Sequence, residues 1–164
     1  MQIIEQKPSK KKWIIWSLVI IIVFSGIMVY TMAQSPRRQA KKEAIAMAEK
    51  YGHLEDVDDF YLYDRQSVYY TVAGTDNKNN KVYVVIPKKG NKVNIFLQSK
   101  GITAKKAIAI TKKLNKGIKV KKAALGFWDG DPTWEITYLN QRGNLCYDLI
   151  DYRNGKIVKT IQNI

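Results

Sequence analysis

Hydrophobic and polar positions follow two regimes along this chain. Residues 13–32 run Trp-Ile-Ile-Trp-Ser-Leu-Val-Ile-Ile-Ile-Val-Phe-Ser-Gly-Ile-Met-Val-Tyr-Thr-Met without a charge. At ~1.5 Å rise per residue this stretch is roughly 30 Å long as a helix, the thickness of a bilayer's hydrocarbon core. Eleven of these positions are Leu, Ile, Val or Phe, so insertion is favourable by roughly 3–7 kcal/mol. After residue 33 the pattern becomes short, alternating and frequently interrupted, as in a globular body.

Beyond the apolar run the chain repeats one motif. Residues 40–50, led by Ser35-Pro36, predict a helix with Ala40, Ala44, Met47, Ala48 and Tyr51 in a stripe and Gly52 as its stop. Residues 104–114 predict a second helix, with Thr103 as N-cap, Ala107, Ile110 and Leu114 as its apolar stripe, and Gly117 closing it. Alternating, β-branched and aromatic strand patterns follow the first helix at 57–64, 67–75, 81–87 and 92–98. The second is followed by patterns at 118–128, 133–140, 144–153 and 156–162. Asp129-Gly130-Asp131-Pro132, Gln141-Arg142-Gly143 and Asn154-Gly155 separate the later ones, and Asn-Gly is a strong hairpin signal. Ala40 and Ala104, Tyr69 and Trp134, and Gly90 and Gly155 are 64–65 residues apart.

The expected fold class is therefore α+β: an N-terminal transmembrane helix, then two tandem repeats of one helix packed on an antiparallel β-meander. The expected partition is a basic tail at 1–12, an anchor at 13–33, a first domain at 34–100 and a second at 101–164. Domains of ~60 residues are marginal alone, so the two are expected to pack together.

Charge alone does not decide the orientation. Lys10, Lys11 and Lys12 abut the run, and Trp13, Trp16 and Tyr30 sit near its ends as interfacial aromatics. Basic residues flank both sides, but long domains translocate largely regardless of charge, so a cytoplasmic N-terminus and extracytoplasmic C-terminal domains are expected. Thr31-Met32-Ala33 loosely resembles a cleavage site, yet the run exceeds the ~7–15 apolar residues of a signal sequence. The anchor is expected to be retained. Cys146 is the single cysteine and is expected to be a small core residue.

Enzyme chemistry is poorly provided for. His53 is the lone histidine and falls just past a helix stop, so no Cys/His zinc site can be assembled. No serine sits in a Gly-x-Ser-x-Gly elbow, and no phosphate-cradling glycine loop occurs. Glu55-Asp56-Val57-Asp58-Asp59 reads as a solvated loop entering a strand. Asp129-Gly130-Asp131-Pro132 lacks the later ligands of a calcium loop and reads as a turn. No enzyme activity and no cofactor are expected.

Positive charge is abundant. The formal net charge is +14, and from residue 36 onward 24 Lys and Arg face 13 Asp and Glu. The excess gathers at Lys105, Lys106, Lys112, Lys113, Lys116, Lys119, Lys121 and Lys122. These eight are candidate polyanion-binding residues; solvation of an ordinary helix surface explains them about equally well. Outside a Gram-positive-type cell the polyanions are teichoic acids and anionic lipid headgroups, so nucleic acid is not expected as a partner. The strand tyrosines and Phe96 are divided by alternation between two faces, one for the helix and one for the other half or a partner.

Several of these segments together are similar to a known family. They are the helix at 40–50, Tyr69-Tyr70-Thr71-Val72-Ala73-Gly74-Thr75-Asp76, Tyr83-Val84-Val85-Ile86-Pro87, Pro132-Thr133-Trp134-Glu135-Ile136, Tyr147-Asp148-Leu149-Ile150-Asp151-Tyr152 and Asn154-Gly155-Lys156-Ile157. The chain resembles the TseB-like (YpmB-like) cell wall elongation regulators of low-GC Gram-positive bacteria. The resemblance implies one membrane span, two PepSY/cystatin-like repeats, no enzyme activity, and association with a penicillin-binding transpeptidase of the elongation machinery. It supplies no catalytic residues and leaves the oligomeric state open. Two other roles stand beside it: binding of teichoic acid or anionic lipid, and PepSY-type inhibition of an extracellular peptidase.

Overall fold

In the computed structural model, residues 10–162 are described, apart from Asn91. The basic tail expected at 1–12 therefore lies largely outside the described residues, as do Asn91 of the turn before β4 and the last two positions of the second repeat. The chain forms two units, one ending at Gln39 and one comprising Ala40–Ile164.

The first unit is helical. Helix α1 is assigned over Lys10–Gly52 and carries Pro36 in its interior, so the helix does not open at Ser35-Pro36 as the sequence predicts. A proline forfeits one backbone hydrogen bond and crowds the preceding turn; the helix nonetheless runs through it, and the good helix formers Arg37, Arg38 and Gln39 follow. Every side chain from Trp13 to Met32 is exposed, and α1 is, among the described residues, the one helix long and apolar enough to cross a membrane. Its hydroxyls are satisfied internally: Ser17, Ser25 and Thr31 donate to the carbonyls of Ile14, Ile22 and Met28 at 2.8–2.9 Å. A polar group in hydrocarbon has no water to bond, so this local pairing suits a lipid environment.

The second unit holds two four-stranded antiparallel meanders in strict sequence order. The first consists of β1 (Leu54–Asp64), β2 (Val68–Asp76), β3 (Lys81–Pro87) and β4 (Asn94–Leu97). After a 3₁₀ turn (Gln98–Lys100) and α2 (Ala104–Leu114) come β5 (Lys119–Trp128), β6 (Asp131–Leu139), β7 (Leu145–Asp151) and β8 (Ile157–Ile161). Leu54 and Lys119, Val68 and Asp131, Lys81 and Leu145, and Asn94 and Ile157 open corresponding strands, an offset of 63–65 residues. The two halves thus share one topology, as the repeat in the sequence requires.

Alternation on the first sheet separates two cores. Val72, Val82, Val84 and Ile86 face the end of α1 at Ala44 and Ala48. The predicted stripe is corrected here, because Met47 and Tyr51 are exposed and Ile45 packs instead. The seam is made of small residues, and Gly52 completes it: a Cβ there would lie 2.6 Å from Val84 Cγ2. Gly52 therefore belongs to the helix, and His53 makes the left-handed turn that ends it, at φ 51°.

The opposite face of the first sheet, with Ala73, Tyr83 and Val85, shares a core with Ile102 and Ala107 of the α2 region and with Leu125, Trp134, Ile136, Ile150 and Tyr152 of the second sheet. Trp134 anchors it, edge-on to Tyr61 and Tyr83 at 5.3 and 5.4 Å, with its indole N–H donated to the Ile102 carbonyl at 2.9 Å. The aromatic faces of the two halves are thus packed together. Backbone carbonyls are recruited across the same seam, by Thr71 to Leu125 at 2.7 Å and by Tyr152 to Leu97 at 2.6 Å.

Three local expectations are revised. The acidic run 55–59 lies inside β1, which begins at Leu54; as an edge strand it keeps carboxylates in solvent and absorbs the irregular pattern in two register shifts. The tight two-residue turn is Asp129-Gly130, both at positive φ, with β6 starting directly at Asp131. Asn154-Gly155 instead forms part of a wider turn with only Gly155 left-handed, its N–H bonded to Asp151 O and the Asp151 carboxylate capping Arg153 and Asn154.

Candidate functional site

The lysine-rich segment folds as α2 and the start of β5. Thr103 caps α2 as predicted, accepting from Lys106 N at 3.3 Å, and Lys112 and Lys113 occupy the last turn, where cations complement the carbonyl end. The buried stripe is Ala107 and Thr111, with Ile108 and Ile110 partly covered, while Leu114, expected to be apolar core, is exposed. Spacing alone did not distinguish these, because the sheet reaches only part of the helix circumference.

Seven of the eight lysines are exposed: Lys105, Lys106, Lys112, Lys113, Lys116, Lys119 and Lys121. Lys121 is the extra residue of a β5 bulge between Val120 and Lys122. Lys122 is half-buried and lies 3.8 Å from the Glu135 carboxylate, so it belongs to an internal ion pair. The exposed seven divide further. Lys105 lines a small recess with Asp58 and Asp59 of β1, two carboxylates that repel an anionic chain. At the opposite end of α2, Lys116 borders a hollow of about 580 Å³ whose rim also carries Arg142 of the β6–β7 turn.

That hollow is built from tied elements. The Gln141 amide donates to the Lys116 carbonyl at 3.1 Å, joining the β6–β7 turn to the α2–β5 loop. Gly117, at φ +71°, permits the approach, since a Cβ there would lie 2.5 Å from Gln141 Nε2. Asn140 Oδ1 accepts from the N–H groups of Arg142 and Asn144 at 2.9 and 3.0 Å, which fixes the turn. Beneath, Asp148 is fully buried and accepts from Asn115 Nδ2 at 3.0 Å, Thr160 Oγ1 at 2.9 Å and Tyr138 Oη at 3.4 Å. Burial first, and the Asp148 carboxylate second, push the Tyr138 phenol up to about 12, so it remains a neutral donor. Cys146 lines the hollow and is buried, as a small apolar residue should be.

A second polar cluster joins the halves. Arg65, from the β1–β2 turn, pairs with Glu135 on β6 and stacks its guanidinium 3.5 Å from the Tyr147 ring centroid. Gln66 and Asp129 meet turn to turn, Gln66 Nε2 donating to Asp129 Oδ1 at 2.9 Å. Neither Arg142 nor the Arg65–Glu135 pair is signalled by sequence spacing, for each depends on a turn brought in from another strand pair. Among the described residues no group of His, Cys, Asp and Glu is placed to hold a metal ion. His53 is exposed, and its carbonyl accepts from Asn77 N at 3.0 Å.

Comparison with known proteins decides the family. The chain is 30% identical over 158 residues to the "Probable cell wall elongation regulator TseB" of Bacillus subtilis, covering 93% of this chain and 98% of that protein. This chain belongs to the TseB family. The profile of the "Cell wall elongation regulator TseB-like domain" matches residues 43–87, and that of the "Peptidase propeptide and YPEB domain" (PepSY) matches residues 101–161. The solved structure of the YpmB protein from Bacillus subtilis is similar, with a TM-score of 0.63 at 32% identity over 74% of this chain and 95% of that one. In TseB terms, the PepSY match covers α2, the second sheet and all of the hollow's lining except Gln162, while the TseB-like match covers the end of α1 and β1–β3.

Proposed function

We propose that this TseB-family chain is a non-enzymatic, membrane-anchored accessory protein that regulates peptidoglycan elongation by binding a penicillin-binding transpeptidase outside the membrane. The observation that carries the reading is similarity to a named elongation regulator along almost the whole of both chains. The exposed apolar stretch of α1 supports an anchor, and the short lysine-bearing segment before it supports a cytoplasmic N-terminus with the body extracytoplasmic. Confinement to one bilayer raises the effective concentration of a co-anchored partner, so a weak interface suffices. The edge strands β4 and β8 offer unpaired backbone, with Ile95, Leu97, Ile157 and Val158 exposed along them. The test is crosslinking in living cells from surface positions on β4 and β8, with capture of a penicillin-binding protein expected. Absence of any such protein from every crosslinked product overturns the reading.

A second reading, binding of a wall or lipid polyanion, is favoured by one observation: the exposed lysines of α2 and β5 form no ion pair among the described residues. Co-sedimentation with purified teichoic acid is expected to weaken as salt rises, because exposed charges are screened within about 10 Å at 0.1 M. Binding that is absent or indifferent to salt removes this reading.

A further inference from the structure

We infer that the hollow between the end of α2 and the β6–β7 turn is a binding site for a phosphodiester-linked polyol, of the kind that makes up a poly(glycerol phosphate) chain. The inference rests on the polyanion reading above and deepens it from a diffuse basic face to one place. Three observations point there.

Charge is the first. From Lys112 to Lys122 and from Leu139 to Tyr147 the sequence contains no Asp or Glu. Neither the Lys116 ammonium nor the Arg142 guanidinium has a carboxylate within ion-pair distance among the described residues. The Arg fork matches two phosphate oxygens, and Lys adds a point charge beside it. Asp148, the carboxylate that bonds the lining residues Asn115 and Tyr138 among the described residues, is buried and already accepts three hydrogen bonds. Lys105 and Lys106, at the far end of α2, lack this setting, since Asp58 and Asp59 share the Lys105 recess.

The second is preorganisation. The Gln141–Lys116 bond and the Asn140 turn hold the two backbone segments that carry these cations in place before any ligand arrives, which reduces the ordering cost of binding. The third is the lining. Asn140 turns its Oδ1 to backbone N–H groups and so keeps its amide N–H₂ for a hydroxyl or phosphate oxygen. A hollow of about 580 Å³ falls in the range of small-molecule sites, and its polar lining suits a hydroxylated chain better than an acyl tail.

The experiment uses the full chain in nanodiscs of neutral phosphatidylcholine, titrated calorimetrically with soluble poly(glycerol phosphate). Wild type is expected to bind. K116A/R142A should weaken binding roughly tenfold or more, the loss of two charge-assisted contacts, whereas K105A/K106A, which removes equal charge, should change it less than about twofold. Equal weakening by both pairs overturns the hollow and leaves a diffuse polyanion face standing; no binding by wild type at low salt overturns both. Near-UV circular dichroism of each variant checks that Trp134 keeps its packing. sn-Glycerol 3-phosphate should compete better than inorganic phosphate, and equal competition overturns the polyol assignment. Binding to phosphatidylglycerol vesicles with none to the soluble polymer overturns the polymer as the source.

Discussion

The Arg65 guanidinium and the Glu135 carboxylate form an ion pair across the two sheets, and the carboxylate side chain is only 3% exposed. A charge this deep is tolerated when its lone pairs are occupied, and Lys122 and Thr137 take up the other oxygen. The pair therefore fixes how the β1–β2 turn meets β6 more than it adds to stability.

Removing one partner exposes that dependence. R65A strands a buried carboxylate, and a loss of about 3 kcal/mol in urea unfolding is expected. R65M/E135L, which removes both charges, should recover most of it. A double variant no more stable than R65A would show that the pair is not the cause.

Gly126 and Tyr63 give a steric test of the same interface. A Cβ at Gly126 would sit 2.3 Å from Tyr63 Cγ, and that ring is fully buried. G126A should therefore destabilise by about 1–3 kcal/mol through overpacking. Combined with Y63A the penalty should vanish, so that the double-variant loss is smaller than the sum of the singles. Strict additivity would place the ring elsewhere.

Alkaline pH should loosen the body formed by the two sheets. Burial, first among the causes, pushes Tyr83 and Tyr138 up to about 12 from 10.0, and Tyr61, Tyr63 and Tyr152 are also raised. The folded state holds these protons more tightly than the unfolded one. Their stabilisation is thus complete below pH 10 and lost as pH rises from 10 to about 12. Urea midpoints should be level from pH 8 to 9.5 and fall by pH 11; a flat profile to pH 11 would contradict the burial of these phenols.

The apolar stretch of α1 has its own test. Replacing Ile21, near its centre, with Lys costs about 3 kcal/mol of insertion free energy, and I21K/I22K about twice that. The double variant should leave the carbonate-resistant membrane fraction. Retention of both variants there would remove the anchor.

The fold was legible in the sequence wherever period and punctuation agreed. The boundaries of α2, the Thr103 cap, the order of eight strands and the 63–65-residue repeat all follow from alternation, turn residues and spacing, which act locally. Met47, Tyr51 and Leu114 show where this ends: helical spacing marks a stripe, but the width of that stripe depends on how much of the helix the sheet covers. The site was half legible. Eight lysines could be counted, but not that Lys122 turns inward to Glu135, nor that Lys105 faces acids.

What the chain alone determined was its apolar stretch, its duplication and its excess of positive charge, because these are properties of composition and period. The tertiary structure decided which faces meet, that Arg65 reaches Glu135, and that Arg142 and Lys116 line one hollow. Those pairings join residues 70 and 26 positions apart through sheet register and turn geometry, and no local pattern carries that information.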